Sequence, residues 1–166
     1  MQLWLVRHAV AAEQDAFDGP DAERPLTPKG RRRFREFCDW LTRQTAMPQT
    51  IFSSPLVRAA QTAAILAKSA GLKKTGGLKK TNVTATDLLS PGVDVQQLVQ
   101  FVRSQAAECL ALVGHEPDMS RILAELVDGG AFRFGKGVVA AVEFASAPAV
   151  RAGRLCWFVG PKLPGP

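Results

Sequence analysis

The stretch Met1-Gln2-Leu3-Trp4-Leu5-Val6-Arg7-His8-Ala9 decides how this chain is read. Four consecutive apolar residues, Leu3 to Val6, are too few for a helix of ordinary length. They suit a strand buried on both faces, as in the middle of a parallel sheet. Arg7 and His8 then fall at the strand's carboxyl end, where open α/β sheets build their ligand sites. The pair sets a fixed cation beside an imidazole that can be neutral near pH 7, which suits attack on a phosphoryl group. Alone, Arg-His is more often a strand leaving the core through surface residues, so the rest of the chain has to decide.

Working outward, Cys109-Leu110-Ala111-Leu112-Val113 is a second buried-type run, and it delivers Gly114-His115-Glu116-Pro117-Asp118. The chain holds two histidines, and both follow such a run. Ile51-Phe52-Ser53 is a short third strand. It leads into Ser54-Pro55, a cap and first-turn proline, and then an alanine-rich helix to about residue 70 with Arg58 one turn inside. A helix start leaves free N–H groups and a positive dipole end, which favour an anion. Two histidines and two arginines are thus expected at one sheet edge.

The remaining segments complete an alternating order. Residues 11–24 are polar and read as a loop over the carboxyl edge. Thr27 is a good N-cap with Pro28 behind it, and Phe34, Phe37, Cys38 and Leu41 give the next helix one apolar face. Its other face carries Arg31, Arg32, Arg35 and Asp39. A strand is expected over 82–86, a loop at Asp87, and a helix over 94–107. Pro117 opens a further helix that Gly129-Gly130 ends. Strands over 138–144 and 155–159 form a hairpin. The order β-α four times and then two strands predicts a three-layer α/β/α sandwich around a mostly parallel central sheet with antiparallel additions. One domain is expected over residues 1–160, with a frayed tail at 161–166.

Bulk composition narrows the function classes. A length of 166 residues suits one domain with a substantial core. No apolar run approaches the ~18 residues of a spanning helix, and Arg7-His8 interrupts the first one too early for a signal peptide. Cys38, Cys109 and Cys156 are odd in number and widely spaced, so they read as small core residues in a reduced, cytoplasmic setting. Residues 71–82 repeat a hexapeptide, GLKKTG-GLKKTN, whose four lysines make up most of the net charge of +6. A duplicated loop of solvated lysines accounts for it, and no nucleic-acid motif accompanies the charge.

The motifs Val6-Arg7-His8-Ala9, Leu26-Thr27-x-x-Gly30, Ser53-Ser54-Pro55-x-x-Arg58-Ala59-x-Gln61-Thr62 and Val113-Gly114-His115 follow one another in a known order. Together they resemble the histidine phosphatase superfamily, whose fold is phosphoglycerate mutase-like. The short length and His115-Glu116-Pro117 look most like its small phosphohistidine phosphatases of the SixA type. Ala9 departs from the superfamily's usual glycine, adding one methyl beside the histidine. The acid usual in larger members has no unambiguous counterpart.

The resemblance implies that His8 attacks phosphorus and carries the phosphoryl group, while Arg7, Arg58 and His115 hold the phosphate oxygens. No metal or cofactor is implied. Asp87 is the first candidate for an acid or water-positioning group, and Glu116 is the second. Phosphohistidine expels an imidazole of reference pKa about 6.5, whereas an ester expels an alkoxide that needs an acid. An uncertain acid therefore matches P–N cleavage better than ester cleavage. The expected partner is a phosphohistidine-bearing phosphorelay or phosphotransfer protein in signal transduction, with phosphate or sulfate filling the pocket and no nucleic acid or membrane involved. A phosphatase for small phosphate esters and a phosphate-binding module without turnover are the alternatives.

Overall fold

The computed structural model describes residues 1–71 and 83–161. The lysine repeat beyond Gly71 and the tail beyond Pro161 lie outside the described residues. The order is β1 (Gln2–Arg7), α1 (Pro28–Leu41), β2 (Thr50–Ser53), α2 (Val57–Ser69), β3 (Val83–Ala85), α3 (Val95–Arg103), β4 (Cys109–Gly114), α4 (Asp118–Leu126), β5 (Val139–Glu143) and β6 (Arg154–Val159). Short 3-10 turns at Asp21–Glu23 and Asp87–Leu89 complete it. The expected alternation is present, although α3 stops four residues before 107.

The six strands form one sheet in the order β3-β2-β4-β1-β5-β6. β1 pairs in parallel with β4 and antiparallel with β5, and β2 lies parallel to both β3 and β4. Alternation along β1 builds the layers. Trp4 and Val6 join Phe34, Phe37, Ala63 and Leu66 under α1 and α2. Leu3 and Leu5 join Leu98, Val102, Ile122 and Leu123 under α3 and α4. Side chains at successive strand positions point to opposite faces, so one run of four apolar residues feeds both cores. The structure is a three-layer α/β/α sandwich.

Two local expectations need correction. Ser54 does not cap α2 and Pro55 lies outside it; the helix starts at Val57 with Leu56 before it and no side-chain cap. Pro55 instead turns the chain between β2 and α2, which leaves the Ser54 hydroxyl for another partner. Cys156 is not a core residue. It lies exposed on the edge strand β6, while Cys38 and Cys109 are buried.

The Leu26-Thr27-x-x-Gly30 motif acquires a physical reason. The Thr27 side chain accepts the Gly30 N–H at 2.9 Å, while the Thr27 N–H donates to the Val10 carbonyl at 2.9 Å. A Cβ at Gly30 would stand 2.2 Å from that same Val10 oxygen. Glycine lets the start of α1 press against the chain two residues beyond His8.

Candidate active site

Register brings the two histidines together. Arg7 of β1 faces Gly114 of β4 across a parallel ladder, so the next residues, His8 and His115, leave the sheet side by side. Their ring centroids are 5.2 Å apart and tilted by 53°, close to the ~4.8 Å between neighbouring strands. The ladder extends into the site, with the His8 N–H donating to Gly114 O at 3.0 Å.

His8 is buried, 6% exposed. Its Nδ1 lies 2.8 Å from the carbonyl oxygen of Ala9. A carbonyl can only accept, so Nδ1 carries the proton and Nε2 keeps its lone pair. Burial pushes the imidazole down to about 3, with the charges of His115, Arg58 and Arg7 adding to it against the Ala9 hydrogen bond. The ring is neutral across the physiological range. The loop holding it is pinned by two motif residues. The Ala9 N–H donates to Thr62 Oγ1 at 3.0 Å, and the Leu26 N–H donates to Gln61 Oε1 at 2.8 Å. Thr62 in turn donates to the Arg58 carbonyl at 2.7 Å. The Arg-Ala-x-Gln-Thr spacing therefore puts an arginine in the first turn of α2 and two loop anchors one turn on.

Arg7 and Arg58 are both within electrostatic reach of His8 and His115. Arg7 donates from Nη1 to Phe134 O at 2.6 Å. Arg58, 5% exposed, donates to Asp21 twice, from Nη1 to its carbonyl at 2.7 Å and from Nη2 to Oδ2 at 2.9 Å. Asp21 also takes Arg24 on Oδ1. The hydrogen bond from Arg24, followed by the charge of Arg58, holds the Asp21 carboxyl below its ordinary value. Asp21 escapes sequence reading because it sits in a stretch with no periodicity. The signal available is an aspartate three residues before an arginine, directly after Gly19-Pro20.

His115, 3% exposed, lies with Nε2 2.8 Å from Ser54 Oγ. Burial, then Arg58, pushes its imidazole down to about 4, while Asp118 and Asp21 pull the other way. Among the described residues, three buried side-chain nitrogens or oxygens have no hydrogen-bond partner: Arg7 Nε, Arg58 Nε and His115 Nδ1. All three belong to the basic group around His8.

The two carboxylates named from sequence differ. Glu116 is fully engaged, accepting from Ser120 Oγ at 2.6 Å, Ser120 N–H at 3.1 Å and Phe134 N–H at 2.8 Å. It thereby ties α4 to the segment whose carbonyl receives Arg7. Asp87 is exposed in the 3-10 turn after β3, where the adjoining Thr86 N–H donates to Ser53 O at 2.8 Å. Its turn thus borders the same carboxyl edge as Ser54. Asp118, 4% exposed, accepts from Gly92 N–H and from Arg121, fastening the end of this loop to α4.

Residues 3–82 match the model of the histidine phosphatase superfamily, branch 1. An uncharacterised protein of Picosynechococcus sp. is 34% identical over 119 residues, which are 72% of this chain and 68% of that one. The chain belongs to the histidine phosphatase superfamily. Its fold is similar to that of the protein histidine phosphatase SixA complexed with tungstate, with a TM-score of 0.82 and 24% identity over 97% of each chain. It is also similar to a phosphoserine phosphatase from Entamoeba histolytica in complex with phosphoserine, at a TM-score of 0.68 and 15% identity. That alignment covers 97% of this chain and 98% of the other. The family match spans the first three of the four motifs noted in the sequence and stops before Val113-Gly114-His115. No helix among the described residues is long and apolar enough to cross a membrane.

Proposed function

We propose that this histidine phosphatase hydrolyses phosphohistidine on a partner protein, with His8 as the transient phosphoryl carrier. The observation that carries the proposal is the set of buried, unpartnered nitrogens around a neutral imidazole, the Nε–H donors of Arg7 and Arg58 and the Nδ1 of His115. A buried donor left unpaired costs about 1–3 kcal/mol, and a phosphoryl oxygen would remove that cost. The partner's phosphohistidine takes a proton from solvent on its unphosphorylated ring nitrogen, Nε2 of His8 attacks phosphorus in line, and the bond from phosphorus to the partner's imidazole breaks, so that the ring leaves neutral. Water then attacks phospho-His8, releasing inorganic phosphate and the free imidazole. Arg7 and Arg58 stabilise charge on the equatorial oxygens through both steps. The likeness to a SixA fold that holds tungstate, a phosphate-like oxyanion, supports this use of the pocket.

A second reading, hydrolysis of small phosphate esters, draws on Asp87, an exposed carboxylate in a turn that borders the same edge. Paired assays on a phosphohistidine protein and an aryl phosphate decide between them. A kcat/KM at least about tenfold higher on the protein, a difference of ~1.4 kcal/mol in transition-state stabilisation, is expected. The reverse ranking would favour the ester reading, and absence of turnover on both would reduce the protein to an anion-binding module.

A further inference from the structure

Ser54 is fully buried, and its hydroxyl has two neighbours that together fix its direction. The Leu56 N–H donates to Ser54 Oγ at 3.3 Å, which uses a lone pair. The hydroxyl proton needs an acceptor, and His115 Nε2 at 2.8 Å is the one that the described residues offer. If Nε2 instead carried its own proton and donated to Ser54, the buried hydroxyl proton would have no acceptor. His115 Nδ1, buried and without a protein partner, would then present a lone pair to the pocket anion. With Ser54 donating, Nε2 is filled from inside the protein and the ring's own proton sits on Nδ1.

We infer that Ser54 is a positioning residue that fixes His115 as its Nδ1–H tautomer, making the ring a neutral hydrogen-bond donor to the phosphoryl group. Burial and the neighbouring Arg58 hold His115 uncharged near pH 7, so the tautomer, and not an added proton, determines what the ring can do. A preset donor strengthens as negative charge gathers on the transferred oxygens. This catalytic consequence rests on His8 acting as phosphoryl carrier; the tautomer itself does not.

Long-range 1H–15N correlation spectra of the uniformly labelled protein read the tautomer without any substrate. The chain has two histidines, so the two imidazoles are assigned by comparison with His8→Asn. At pH 7 His115 is expected to show a protonated Nδ1 and an unprotonated Nε2. Ser54→Ala should move it toward the Nε2–H form and lower kcat on a phosphohistidine protein about tenfold, with KM changing less, as for a lost transition-state interaction. Ser54→Thr keeps the hydroxyl and should keep the tautomer. A folded wild type with His115 protonated on Nε2, or on both nitrogens, would overturn the inference, and so would a Ser54→Ala spectrum with Nδ1–H unchanged. Should Ser54→Ala fail to fold, the wild-type spectrum still decides. A Ser54-dependent Nδ1–H in a protein that leaves phosphohistidine intact would uphold the tautomer and sink the substrate assignment instead.

Discussion

The ends of β1 and β4 hold the same side chain in opposite ways. At His8 the inner nitrogen is Nδ1, held 2.8 Å from the carbonyl of the very next residue, Ala9. At His115 the inner nitrogen is Nε2, held 2.8 Å from a serine on a different strand connection. His8 therefore turns an unprotonated Nε2 outward, and on the tautomer inferred above His115 leaves a protonated Nδ1. One tautomer in two orientations yields a nucleophile and a donor. A local backbone hydrogen bond suffices for the first, whereas the second depends on a contact between elements.

Replacing each histidine in turn tests this contrast most strongly. His8→Asn should lose turnover of every substrate by about 10⁴-fold or more, since an amide cannot carry a phosphoryl group. His115→Asn keeps an N–H donor and should lose only about 10–10³-fold, the range for weakening one oxyanion contact. Acid-labile, base-stable label trapped on wild type and absent from His8→Asn checks the carrier. Equal losses in the two variants would end the distinction between nucleophile and donor.

Asp87→Asn separates the leaving groups. Loss of a general acid should lower turnover of an alkyl phosphate about 10²–10⁴-fold while leaving phosphohistidine within a few-fold, because imidazole departs with little help. Equal loss on both substrates would assign Asp87 to the hydrolytic water.

The backbone that presents His8 is expected to be sensitive to single methyl groups. Gly30→Ala places a Cβ 2.2 Å from Val10 O, a rigid backbone atom, so the start of α1 has to move. Thermal or urea unfolding should show a loss of about 1–3 kcal/mol. Thr62→Val removes the acceptor of the buried Ala9 N–H and should cost a similar amount.

The last test varies pH. Both histidines sit below their ordinary value in the folded protein, near 3 and 4, while the unfolded chain binds protons near pH 6.5. Between those limits the unfolded state holds more protons, so stability is complete above about pH 6.5 and falls as pH drops. Each histidine contributes a slope of up to about 1.4 kcal/mol per pH unit. Urea unfolding at pH 7 and pH 5 should show this loss, and His115→Asn should reduce it. Protonation of His8 should not lower kcat/KM over the same interval, since its nucleophilic nitrogen stays free down to about pH 3.

Much of the layer order is legible in local patterns, because burial on two faces demands unbroken apolar runs and helix faces demand a 3.6 period. The runs at Leu3–Val6 and Leu110–Val113 name two central strands, and the polar residues that end them name the edge. Ser54 was legible only as a helix cap, since Ser-Pro before an alanine-rich run carries that local meaning. Asp21 carried no signal, because its value comes from Arg58 across the pocket. Cys156 looked like core because edge strands share the composition of central ones.

By itself the sequence determined that histidine and arginine end buried strands and that Thr27, Gly30, Gln61 and Thr62 stand at turn and helix positions. These are matters of neighbours a few residues away, which local sterics and periodicity govern. Only the tertiary structure decided that β4 lies next to β1, that Asp21 faces Arg58, and that Ser54 meets His115. Strand order follows from closing both cores at once, and the buried nitrogens of Arg7, Arg58 and His115 lack a protein partner only after that closure has brought them inside.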